Sequence, residues 1–191
     1  MSTRPIATTR SATGIPTGKL AVWWVVVSEI VIFGGLLASY IMHRLGHPEW
    51  AGYASHTNAW FGGVNTFVLL TSSLSAVLAH HAAENGDGKK AARWLWGTCL
   101  GGATFIGIKA VEWTIEIQQG YTITSNGFWQ FYYTVAGLHA MHVIAGCVIM
   151  LIIANDARKQ LELQRVELIG IYWHFVDIVW IFLFPLLYIA K

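Results

Sequence analysis

The stretch Tyr172-Trp173-His174-Phe175-Val176-Asp177-Ile178-Val179-Trp180-Ile181-Phe182-Leu183-Phe184-Pro185-Leu186-Leu187-Tyr188 is apolar enough to enter a bilayer, yet carries His174 and Asp177 close to its middle. An ionisable group at membrane depth is costly and faces protein or water rather than lipid. Three residues apart on a helix, His174 and Asp177 share a face. That face needs polar company from the rest of the chain.

Composition agrees with a membrane protein. Of 191 residues, 55% are hydrophobic and 12% are charged, unlike a soluble domain. The net charge of +2 gives no reason to expect a nucleic-acid partner. The two cysteines, Cys99 and Cys147, lie inside apolar runs and read as packing residues.

Working outward, the sequence predicts an all-α integral membrane protein with five transmembrane helices. The spans fall near residues 19–43, 59–82, 92–117, 127–154 and 167–190. Each exceeds the roughly 20 residues that cross a bilayer core. The connections carry breakers: Gly46, Pro48 and Gly52, then Asn85-Gly86-Asp87-Gly88, then Gly120 and Asn126-Gly127. Residues 1–18, rich in Ser and Thr with Pro5 and Pro16, read as a flexible tail before one domain over 19–191.

Lys and Arg placement sets the orientation. Arg4, Arg10, Lys19, Lys89, Lys90, Arg93, Arg158, Lys159 and Arg165 fall on one side, against Arg44 and Lys191 on the other. The N-terminus is expected in the cytoplasm and the C-terminus outside. Trp23, Trp24, Trp50, Trp60, Trp94, Trp96, Trp113, Trp129 and Tyr188 fall near span ends, as an aromatic belt does. Gly97 with Gly101, Gly34 with Gly35, and Gly137 with Gly146 are candidate close-contact points between helices.

Glu29, His139, His142, His174 and Asp177 then share the middle of the membrane on three helices. Two readings stay open: pairing that holds the bundle together, or a proton path or lipid-headgroup site. His139 and His142, at i and i+3, also raise a metal reading. No Cys and no Glu-x-x-His pair supports it, so no metal is expected in this chain. Lys109, Glu112 and Glu116 share a face of the third span; neutralisation or snorkelling to water accounts for them. His80, His81, Glu84 and Asp87 form either a cytoplasmic proton-collecting surface or an ordinary solvated loop.

At this point a family resemblance becomes visible. Residues 172–180 resemble the last-helix signature of subunit III of haem-copper oxidases. Gly137-Leu138-His139-Ala140-Met141-His142-Val143-Ile144-Ala145-Gly146 resembles that family's Gly-x-His-x-x-His-Val-x-x-Gly segment. Asn65-Thr66, Leu69-Leu70, His80-His81, Ser28-Glu29, Glu112-Trp113 and Glu167 fall where the family carries like residues. The resemblance implies a non-catalytic subunit of a terminal oxidase in a bacterial cytoplasmic membrane. Haem and copper would reside in partner subunits I and II, with phospholipid bound beside this chain and proton uptake supported by it. The long form of the family has seven helices; the first two have no counterpart here. The Phe184-to-Tyr188 ending is also similar to accessory subunits of nitric oxide reductases, which stand as the alternative. A small transporter or proton channel fits less well, because no inverted repeat is evident.

Overall fold

The computed structural model describes residues 16–190, and these form helices and short connections without a β-strand. The helices are α1 (Thr17–Gly46), α2 (Trp50–Ala54), α3 (Ala59–Glu84), α4 (Gly88–Gln118), α5 (Gly127–Arg158) and α6 (Gln164–Phe184). A π turn over Pro185–Ile189 follows α6. The expected tail lies outside the described residues up to position 15, together with Arg4 and Arg10; Thr17 and Gly18 already belong to α1.

The helices outrun the expected spans at most of their ends. Lys89, Lys90 and Arg93 lie in the first turns of α4, which starts four residues before the expected span, and Arg158 closes α5. The polar residues between spans act as caps. Asn58, Asp87 and Asn126 accept hydrogen bonds from the backbone N–H groups of Trp60, Lys90 and Trp129 at 3.0, 2.9 and 3.1 Å. Gly86 and Gly120 turn the chain with φ of 75° and 89°, a region open to glycine.

Four helices are long and apolar enough to cross a membrane: α1, α3, α5 and α6 extended through Ile189. The fifth, α4, is 31 residues long. Its hydropathy is diluted by Lys89, Lys90 and Arg93 at one end and by Lys109, Glu112 and Glu116 at the other.

The core is a bundle in which α3 packs on α4 and α6, and α5 packs on α4 and α6. Gly101 and Gly97 bring α4 onto α3: a Cβ at Gly101 would lie 2.5 Å from Ser72 Cβ. Gly102 and Gly146 leave room for the Trp173 ring. Gly34 and Gly35, expected at a close contact, have nothing within 4 Å. They lie on α1, which stands at the rim, packing on α6 and touching α5. Trp24, Val31 and Met42 of α1 face outward. Three expected belt residues also differ: Trp50 and Trp129 are buried against Phe128 and other rings, and Tyr188 is buried against Tyr132, Trp180 and Phe184.

Candidate functional site

The opening stretch runs along the seam between α6 and α3. Trp173 and Trp180, seven residues apart, present one face. Trp173 Nε1 donates to Ser72 Oγ at 3.1 Å and Trp180 Nε1 to Thr66 Oγ1 at 3.0 Å. His174 Nδ1 lies 2.6 Å from Ser73 Oγ. Asp177 is 4% exposed and neither carboxyl oxygen has a hydrogen-bond partner in the described structure.

The five residues expected at mid-membrane do not form one cluster. His139 and His142, three apart on α5, point to different places. The buried His139 ring stacks on Trp180 with centroids 5.2 Å apart and meets Phe105 edge-on, with neither ring nitrogen hydrogen-bonded. His142 turns toward α1. Its Nε2 lies 3.1 Å from Glu29 Oε2, and its Nδ1 lies 2.8 Å from the Leu138 carbonyl oxygen. The carbonyl can only accept, so Nδ1 carries the hydrogen there. The Nε2–Oε2 approach is close enough for an ion pair but misaligned for a hydrogen bond. Phe33 packs edge-on against the same imidazole.

The strongest polar concentration is elsewhere, around Lys109. Its ammonium is almost fully enclosed and does not snorkel to water, contrary to one expectation. Nζ lies 3.0 Å from Glu112 Oε2 and 3.2 Å from Tyr132 Oη, and it also donates to Tyr188 Oη. The rings of Trp113, Tyr132, Trp180 and Tyr188 surround it at 5.0 to 5.5 Å, a cation–π enclosure. Tyr132 Oη further contacts Glu112 Oε1 at 3.2 Å and Glu116 Oε1 at 3.0 Å. The tyrosines were not foreseen. The available signal was Lys109 itself: a cation in an apolar helix needs acceptors from its neighbours.

At the far end of the bundle, His80 Nε2 lies 3.4 Å from Glu84 Oε1, and Asp87 caps α4. Asn85 Nδ2 lies 3.4 Å from His81 Nε2. Glu167 on α6 pairs with Lys19 on α1 at 2.5 Å, tying the rim helix to the bundle. Between α1 and the bundle run two apolar grooves. One, of about 370 Å³, is lined by Val22, Ile149, Ile153 and Tyr172, with Arg165 at its edge. The other, of about 580 Å³, lies between α1 and α6 beside Phe33 and His174. Among the described residues, no group of three or more His, Cys, Asp or Glu side chains is placed to hold one metal ion.

Comparison with known proteins agrees with this geometry. The family model for cytochrome c oxidase subunit III matches residues 7–191. Cytochrome c oxidase subunit 3 of Thermostichus vulcanus is 33% identical over 168 residues, covering 85% of this chain and 82% of the relative. The Bacillus sp. (strain PS3) protein of that name is 31% identical over 195 aligned positions, covering 98% and 93%. The cytochrome bo(3) ubiquinol oxidase subunit 3 of Pseudomonas aeruginosa is 32% identical, covering 87% and 82%. A bundle of long apolar helices, a family match along nearly its whole length, and relatives from both cytochrome c and quinol oxidases lead to one conclusion: this chain belongs to the subunit III family of haem-copper terminal oxidases.

Proposed function

We propose that this subunit supports a catalytic neighbour without carrying electrons, holding the complex together, aiding proton uptake and seating lipid. The reading rests foremost on the Glu29–His142 pair, a carboxyl and an imidazole 3.1 Å apart where α1 leaves the bundle, residue types able to take up and release a proton. In this reading the chain crosses a bacterial cytoplasmic membrane five times, N-terminus inside. The helix α4 completes the set because its charges are paired or lie at its end. The domain is taken to begin with α1 at Thr17, two residues before the expected boundary at 19.

Haem and copper belong to partner subunits I and II. The His139 ring is buried between Phe105 and Trp180, and His142 is turned to Glu29, so the two imidazoles do not converge on one point. The grooves beside α1 suit acyl chains, and Arg165 beside one of them is held by Asp156 at 3.4 Å and Glu162 at 3.5 Å. His80, His81, Glu84 and Asp87 form the cytoplasmic face that would gather protons, with Glu167 nearby on α6. Glu112 and Asp177 hold buried positions in the same scheme.

Deleting this chain while the catalytic core stays assembled tests the reading. Haem content and initial oxygen reduction persist, phospholipid per complex falls, and activity decays sooner over repeated turnover. Loss of a haem or copper signal from an assembled core would overturn it.

A further inference from the structure

We propose that Glu116 is a proton-binding site: its buried carboxyl holds one proton that exchanges with water on the face carrying the α4–α5 connection. This goes beyond the supporting role above, which uses neither Glu116 nor that face.

The contacts around Tyr132 frame the argument, and the charge of the buried cluster carries it. Three oxygen atoms crowd its Oη: Glu112 Oε1 at 3.2 Å, Glu116 Oε1 at 3.0 Å and Tyr188 Oη at 3.0 Å. Two oxygens at such a distance attract only with a hydrogen between them. Each tyrosine hydroxyl supplies one hydrogen. Tyr132 and Tyr188 together therefore serve two of the three contacts. Tyr133 cannot serve the third, since its hydroxyl is spent on the Tyr121 carbonyl at 2.8 Å and meets Glu116 Oε2 only at 3.4 Å. Nor can the ammonium, whose three hydrogens go to Glu112 and the two tyrosines. With Lys109 also donating to it, Tyr132 Oη can give one hydrogen and accept two, so one contact stays unserved, and Glu116 is the carboxyl that has hydroxyl contacts alone.

Charge points the same way. Two carboxyl groups share one ammonium, all three residues at most 4% exposed. Fully ionised, the group would hold a net negative charge out of water, which is costly. One added proton makes it neutral. Glu112 has the ammonium at 3.0 Å and stays ionised. Glu116 has only tyrosine hydroxyls, so the proton belongs there.

Every element around the cluster contributes. Lys109 and Glu112 come from α4, Tyr132 and Tyr133 from α5, Tyr188 from the π turn, while α3 offers Gly62 against the Tyr188 ring. His56 packs on Tyr121 at 4.9 Å. Glu116 lies two residues before the last residue of α4, and Tyr133 links it to the Tyr121 loop. That loop is the short way to water.

Infrared difference spectra of the intact oxidase complex test the assignment. Wild type minus Glu116→Gln is expected to show one carboxylic-acid C=O band, moving to lower frequency in D2O. Wild type minus Glu112→Gln is expected to lose a protonated carboxyl as well, since Glu116 then gives up its proton to become the partner of Lys109. If the first difference holds only carboxylate stretches, Glu116 is ionised and the proposal fails. If the acid band ignores D2O, the proton does not exchange and the proposal fails too. The amide in Glu116→Gln keeps the hydroxyl contacts, so assembly is expected to survive. Assembly is checked by the haem spectrum of the same sample.

Discussion

Glu29 on α1 and His142 on α5 meet at 3.1 Å, side chains 17% and 16% exposed, in a part of the chain otherwise built of apolar residues. Because His142 Nδ1 is committed to Leu138, Nε2 carries a hydrogen only when the ring is a cation. The two side chains approach without an aligned hydrogen bond, and each faces the other across the α1–α5 contact.

That pair should act as a unit. In a double-mutant cycle with Glu29→Gln and His142→Phe, stability of the subunit in the complex should show a coupling of about 0.5–3 kcal/mol, the range for residues in contact. Thermal release of the subunit reads it. Additive effects would mean that the two side chains do not sense each other.

Lys109 and Glu112 make a second, fully buried pair. Removing one partner leaves the other charge stranded, which typically costs about 3–5 kcal/mol. Lys109→Met alone should therefore destabilise strongly, and Lys109→Met with Glu112→Gln should recover much of the loss. Denaturation of the purified complex, followed by retention of this subunit, measures both. Equal loss in the single and double variants would show that the aromatic enclosure, not charge pairing, carries the effect.

The glycines divide into two sets. A Cβ at Gly102 would meet Cys147 Sγ at 2.5 Å and Trp173 at 2.8 Å, and one at Gly88 would meet the Ala157 carbonyl oxygen at 2.1 Å. Gly102→Ala and Gly88→Ala should each cost about 1–3 kcal/mol, as overpacking does. Gly107→Ala, open on all sides within the helix, should gain up to about 1 kcal/mol from helix propensity. Thermal melts of the three variants in one detergent compare them directly.

The sequence made long apolar helices legible because apolar length is itself the signal, and the breakers at Asn85 to Gly88 and at Asn126-Gly127 marked real caps. What sequence could not show was direction around a helix axis. His139 and His142, three residues apart on α5, would share a helix face by spacing alone, but one meets Trp180 and the other Glu29. The spread of side chains across a helix face is wide enough to separate them between two neighbours. Lys109 was equally opaque: its neutralising glutamate was legible from i, i+3 spacing, but Tyr132 and Tyr188 come from positions 23 and 79 residues away. Pro185 hid a further feature. The π turn behind it directs the Leu186 and Ala190 carbonyls to Tyr40 and Arg44, anchoring the end of α1.

The central claim is that this chain works as the third subunit of a terminal oxidase. Purification through an affinity tag on this chain, from membranes in mild detergent, tests it most directly. The account predicts a complex with haem absorption bands that reduces oxygen, with all haem and copper assigned to the co-purifying subunits after this chain is stripped away. A chain that purifies alone, free of any haem protein, would contradict it, as would haem that stays with this subunit.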